Sequence, residues 1–118
     1  MLSAARIQEA IDPGLLPTPE QERIIESPLR PLLVVAGAGS GKTETMTMRV
    51  LWAVANHEEI TPSSVLGLTF TKKAAGELGE RLRRRLHTLA QMPEWEESDR
   101  ERLEGLPKIG RASCRERV

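Results

Sequence analysis

Ala36-Gly37-Ala38-Gly39-Ser40-Gly41-Lys42-Thr43 is the stretch on which the reading of this chain turns. An apolar run of strand length, Leu32-Leu33-Val34-Val35-Ala36, leads into it. Such a run fits a strand buried on both faces of a parallel sheet. Behind the octet a helix is expected from about Lys42 to Asn56, with Met46, Val50, Ala53 and Val54 as its inward stripe. The octet has the Walker A spacing, with alanine in the first position instead of glycine. Gly37, Gly39 and Gly41 let the backbone turn with its N–H groups aimed inward at phosphate oxygens. The start of the following helix adds a fixed positive potential. Lys42 is then placed to reach the β- and γ-phosphates, and the Thr43 hydroxyl to ligate Mg²⁺. A tight strand-to-helix turn would explain the glycines, but not Gly-Lys-Thr at that spacing.

Working outward, each flank carries its own punctuation. Ser3 caps an expected helix from Ala4 to Ile11, which Asp12-Pro13-Gly14 breaks. Thr18 is the N-cap of a second helix, with Pro19 at its first position and Gln21 where a capping box closes. Ser27-Pro28 ends it. Beyond the phosphate loop, Thr61-Pro62-Ser63-Ser64 is a turn and Val65–Phe70 a second strand. Thr71 caps a long helix reaching about Ala90, with Ala75, Leu78, Leu82, Leu86 and Leu89 as its apolar stripe. The order strand, helix, strand, helix implies a right-handed parallel crossover and an α/β fold.

Composition narrows the class. The 118 residues carry 17 basic and 17 acidic side chains, with 39% hydrophobic and 29% charged residues, which suits one small globular domain or a piece of a larger one. No apolar run approaches the length of a membrane span, and Met1–Glu9 lacks the basic and apolar regions of a signal peptide. The expected compartment is the cytoplasm. A single cysteine, Cys114, excludes an internal disulfide framework. Charge is segregated: Lys72 to His87 holds six basic residues against Glu77 and Glu80, whereas Glu94 to Glu104 holds six acidic residues against Arg100 and Arg102. Most of these charges read as solvated helix faces.

Three segments together resemble the UvrD/Rep superfamily 1 DNA helicases. Leu16-Pro17-Thr18-Pro19-Glu20-Gln21 is similar to the family's Q motif. Ala36–Thr43 has the family's wording of Walker A. Leu68-Thr69-Phe70-Thr71-Lys72-Lys73-Ala74-Ala75-Gly76-Glu77-Leu78 resembles motif Ia. Glu44-Thr45-Met46 and Val65–Leu68 look most like the AdnB-type motor–nuclease subunits of actinobacteria. The resemblance implies a P-loop NTPase, RecA-like fold: a parallel sheet with flanking helices, here an incomplete first motor domain. It implies ATP and Mg²⁺ as cofactors, and single-stranded DNA and duplex junctions as partners. A partner motor–nuclease subunit goes with the finer likeness. The implied activity is 3′-to-5′ translocation on single-stranded DNA with duplex unwinding, in DNA repair or recombination. Gln21 reads adenine; Ala36, Gly37, Ala38, Gly39, Ser40, Gly41, Lys42 and Thr43 hold the phosphates, with Lys42 catalytic. Thr69, Phe70, Thr71 and Lys72 contact DNA, Phe70 by stacking on a base. For Gln21 the capping role stands beside adenine recognition; for Phe70 the alternative is a core position, and for Thr71 a cap alone.

No apolar strand ending in an Asp-Glu pair follows motif Ia, so the sequence lacks a Walker B segment, and no arginine finger is evident. The last ten residues, Ile109 to Val118, resemble a translated sequencing-library adapter, encoded by ATC GGA AGA GCG TCG TGT AGG GAA AGA GTG. Without this tail's three arginines and one glutamate, 14 basic and 16 acidic residues remain, a net of −2. The expected organisation is therefore 1–107 as the start of a helicase ATP-binding domain cut after motif Ia, with 108–118 adapter-derived. On the residues alone, another P-loop enzyme such as a nucleotide kinase, or a non-hydrolysing nucleotide-binding module, stays open.

Overall fold

The computed structural model describes residues 2–35, 41–95 and 103, together with the backbone of 108–111. Helices dominate: α1 (Ala4–Ile11), α2 (Pro19–Ile25), α3 (Lys42–Asn56) and α4 (Lys72–Ala90), with a 3-10 turn at Pro62–Ser64. Their starts follow the expected caps. The Ser3 side chain accepts from the amide of Arg6, and Thr71 from that of Ala74 at 3.0 Å. At α2 the full capping box forms: Thr18 Oγ1 accepts from the Gln21 amide, and Gln21 Oε1 accepts from the Thr18 amide at 2.9 Å.

The core sits where α1 lies against α3 and α4. Ala4 and Ile7 meet Met48, Leu51, Trp52 and Val54 of α3, and Leu86 and Leu89 of α4, with Ile25, Met92 and Leu103 completing the cluster. Burying each of the larger side chains is worth roughly 1.5–3 kcal/mol. Polar clamps hold α1 in place. Asn56 exchanges two hydrogen bonds with the backbone of Leu2, and Glu26 accepts from the amide of Ala4 at 2.7 Å, a carboxylate at a helix start. Arg6 pairs with Glu94 at 2.8 Å.

Two expectations need correction. The inward stripe of α3 runs through Met48, Leu51, Trp52 and Val54; Met46 is exposed and Val50 only half-buried. Since α1 and α4 cover one side of α3 and α2 another, the buried arc is centred about half a turn from the expected one. More consequentially, Leu32–Val35 forms no strand and is not buried: Leu33 is 87% and Val35 86% exposed. The alternation of a strand survives, because Leu32 and Val34 turn toward Ile24, Thr45 and Arg49 beside α3. What is missing is a partner, since among the described residues no strand hydrogen-bonds to this segment. A run apolar on both faces stays buried only when neighbours cover both.

The second strand does form, as β1 (Leu66–Thr69). It pairs in parallel with β2 (Lys108–Arg111), in the register Leu66 to Lys108 through Thr69 to Arg111. That pairing is four residues long and differs from the expected crossover between Leu32–Ala36 and Val65–Phe70. An open strand edge accepts any extended segment that reaches it, which accounts for the use of Lys108–Arg111. Among the described residues, no helix is long and apolar enough to cross a membrane.

Candidate functional site

The described part of the phosphate loop is its last third. Ala36, Gly37, Ala38, Gly39 and Ser40 lie outside the described residues, so their expected phosphate contacts stay expectations. Gly41 is the N-cap of α3, with φ +81° and ψ +26°, the left-handed region that glycine enters without cost. Among the described residues no side chain caps this helix start. First-turn amides at such a start are the donors an anion site uses. Lys42 and Thr43 follow at the first two helical positions, both exposed.

Gln21 reaches the same place. Its Nε2 lies 3.0 Å from where a Cβ on Gly41 would stand, so the α2 amide rests directly over the loop's end. The capping role is therefore real, and it leaves Nε2 facing the phosphate loop. Replacing Gly41 by alanine forces a left-handed backbone on a residue with a Cβ, at roughly 1–3 kcal/mol, and pushes the Gln21 amide aside. The expected result is a lower Tm together with weaker nucleotide binding. A variant that melts and binds as the parent does would show that the Gly41 geometry is dispensable.

A cleft of about 430 Å³ between α3, β1 and α4 brings Thr43 to one surface with Thr69, Phe70 and Thr71. Within it, the Thr69 hydroxyl donates to the Thr71 carbonyl at 3.0 Å, and Thr71 caps α4. Phe70 is 88% exposed and stands outside the core formed by the described residues. Lys72 and Lys73 are exposed at the start of α4. The acidic run beyond Glu94 falls, except for Trp95 and Leu103, outside the described residues.

At the helix start a Mg²⁺ ion would find the Thr43 hydroxyl, and among the described residues there is no group of three or more acidic, histidine or cysteine side chains. That donor set suits a cation held mainly through nucleotide phosphates, which is how Mg²⁺ is usually bound.

Two residues escaped the sequence reading. Glu44 accepts from Arg85 at 2.7 Å and lies 3.8 Å from Arg81, joining the phosphate-loop helix to the helix that follows motif Ia. Arg49 binds four carbonyls at the end of α2. Arg81 and Arg85 read as solvated charges, and no spacing rule links Arg85 to a glutamate 41 positions away. The one available signal for Arg49 was the abrupt end of α2 at Ser27-Pro28, which leaves carbonyls in need of a donor.

Comparison with known proteins gives the family. The chain is similar to DNA helicase IV of Escherichia coli, 47% identical over 70 residues, covering 59% of this chain and 10% of that protein. It is similar to the ATP-dependent DNA helicase PcrA of Staphylococcus aureus, 42% identical over 65 residues, 55% of this chain and 9% of that one. For DNA helicase II of Haemophilus influenzae the figures are 43% over 72 residues, 61% and 10%. The chain thus spans about a tenth of the length of the curated relatives it matches. The UvrD/REP helicase N-terminal domain matches residues 17–106, from the residue before the α2 cap to beyond α4. With that match covering most of the chain, and the Q-motif glutamine seated on the phosphate-loop glycine, the chain belongs to the UvrD/REP helicase N-terminal domain family.

Proposed function

We propose that this chain is the nucleotide-binding beginning of an ATP-dependent DNA helicase. In this reading the intact protein couples ATP hydrolysis to 3′-to-5′ movement along single-stranded DNA and to unwinding at duplex junctions, in repair or recombination. The observation that carries it is the approach of the Gln21 amide to Gly41. One helix start thereby combines a group suited to adenine with backbone donors suited to phosphate. A side-chain amide pairs with adenine through N6 and N7 and has no matching pair of contacts on guanine. Gln21 Oε1 already accepts from the Thr18 amide, and its second lone pair remains for the adenine amino group.

Within this proposal Ala36 to Thr43 hold the phosphates, Lys42 acts on the transferred phosphoryl group and Thr43 ligates Mg²⁺. When bound, that ion supplies charge neutralisation between the β- and γ-phosphates. Thr69, Phe70, Thr71 and Lys72 meet single-stranded DNA, with the exposed Phe70 ring offering a stacking face. Leu32–Val35 becomes a strand of the parallel RecA-like sheet once its neighbours are present. Residues 1–107 are the native part, residues 108–118 the adapter-derived tail, and Walker B and the arginine finger lie in the remainder of the protein. The likeness to AdnB-type subunits adds a partner motor–nuclease subunit, and the cytoplasm is the compartment that fits.

The test is Gln21→Ala in the intact helicase, read by equilibrium binding of ATP and GTP. ATP binding is expected to weaken by about tenfold, in line with one bidentate base contact, while GTP binding changes little. Equal losses for the two nucleotides would reduce Gln21 to a helix cap.

A further inference from the structure

The phosphate-loop helix carries a second, unassigned link to the adenine side of the site. Arg49 stands two turns along α3 from Lys42. Its Nη1 donates to the carbonyls of Ile24 at 2.7 Å, Ile25 at 3.3 Å and Ser27 at 3.1 Å, and its Nη2 to that of Pro28 at 3.0 Å. Ile24 and Ile25 supply the last two carbonyls of α2 and Ser27 and Pro28 those of the turn that follows; Ile24 also accepts from Ser27, and Pro28 from the Arg30 amide. The planar fork of a guanidinium can gather several of them, where an ammonium acts as a point charge.

α2 depends on this grip. It is seven residues long, far below the length at which a helix is stable alone. Ile25 is its only buried residue. Its N-terminus is closed by Gln21, the same side chain that faces Gly41. The helix is therefore fixed to α3 at two points: at its start by the approach of Gln21 to Gly41, and at its end by Arg49. About 12 Å of α3 separates the two, at 1.5 Å per residue. Gly41, Lys42 and Thr43, by contrast, belong to α3 or its cap and do not rely on these four bonds.

We propose that Arg49 is the positioning residue for base recognition: by clamping the end of α2 to the phosphate-loop helix, it sets the Gln21 amide at the height where adenine is read. The inference rests on the adenine role proposed for Gln21 and assigns the part that Gln21 cannot play itself. Small errors of placement have large consequences in such sites, since a shift of about 1 Å can cost 100-fold. The guanidinium of Arg49 is engaged by the carbonyls at the end of α2, and through α2 it acts on Gln21.

The experiment measures binding of ATP, GTP and inorganic tripolyphosphate, each with Mg²⁺, to the intact helicase by titration calorimetry. Wild type, Gln21→Ala, Arg49→Ala and Arg49→Lys are compared. Wild type is expected to prefer ATP over GTP by about tenfold or more. Arg49→Ala should lose most of that preference and keep its tripolyphosphate affinity within about twofold. Arg49→Lys should fall between, because an ammonium satisfies fewer of the carbonyls. A role in stability alone would move all three ligands together. Arg49→Ala retaining the wild-type preference overturns the inference. If Arg49→Ala loses tripolyphosphate as well, Arg49→Lys decides: a reduced preference with intact tripolyphosphate binding upholds the proposal, and any other pattern overturns it. A wild type with no preference, or a Gln21→Ala variant that keeps it, would fell the adenine reading first and this inference with it.

Discussion

Lys42→Ala in the intact helicase is expected to abolish unwinding while leaving the protein folded. Lys42 is exposed at the first position of α3, one residue past the left-handed Gly41 that starts the helix. Among the described residues no ion pair ties its ammonium to another side chain. Surface substitutions of this kind usually change stability by no more than about 0.5 kcal/mol, and alanine is the best helix former. The loss of the ammonium should therefore be felt in chemistry rather than in folding. Removing one preorganised group that stabilises transition-state charge typically costs about 100- to 1,000-fold, or roughly 3–4 kcal/mol. The check is a strand-displacement assay beside a thermal melt. Near-wild-type unwinding would overturn the assignment of the phosphate loop. Lost unwinding with a Tm lowered by many degrees would instead make Lys42 a structural residue.

What the sequence made legible was mostly local. Ser3, Thr18 and Thr71 accept the bonds expected of them, because a cap is decided by residues three apart. The bounds of α3 and α4 were readable for the same reason. The face that α3 buries was not, since it depends on α1 and α4 arriving from distant parts of the chain. The Leu32–Val35 run shows the limit most clearly. Its composition specifies an environment, covered on both sides, and the described residues do not supply that environment. At the site, Gly41 and Gln21 were each legible from their motifs, but their mutual approach was not, and neither was Arg49. Nothing in a sequence ties a helical arginine to carbonyls 21 to 25 residues upstream. Phe70 went the other way: as the only phenylalanine it was open to a core role, and 88% exposure leaves it for a partner.

The isolated 118-residue chain is expected to show neither DNA-stimulated ATP hydrolysis nor a sharp thermal transition. Leu33, Val35, Leu66 and Leu68 all stand exposed around Leu32–Val35 and β1, where the parallel sheet proposed above would bury them. Each such side chain forgoes up to roughly 1.5–3 kcal/mol of burial. Four of them together are comparable with the margin of about 5–15 kcal/mol by which a domain is stable. Contiguous apolar surface of this kind also favours self-association, and the open edge of β1 is a template for pairing with another copy. Mg-ATP can offset part of the deficit by mass action. Hydrolysis is a different matter, because it needs an acidic side chain on the cation and the water, and in the proposed reading that side chain belongs to the remainder of the protein. Glu44 cannot stand in, being held by Arg85 and Arg81 on α4. The measurement is phosphate release from Mg-ATP with and without single-stranded DNA, beside a melt followed by circular dichroism and a sedimentation run. Broad melting, association and no DNA-dependent release are the expected results. DNA-stimulated release together with a cooperative melt of a monomer would mean that the functional unit closes within these 118 residues, and that the exposed apolar face is a feature of the finished protein.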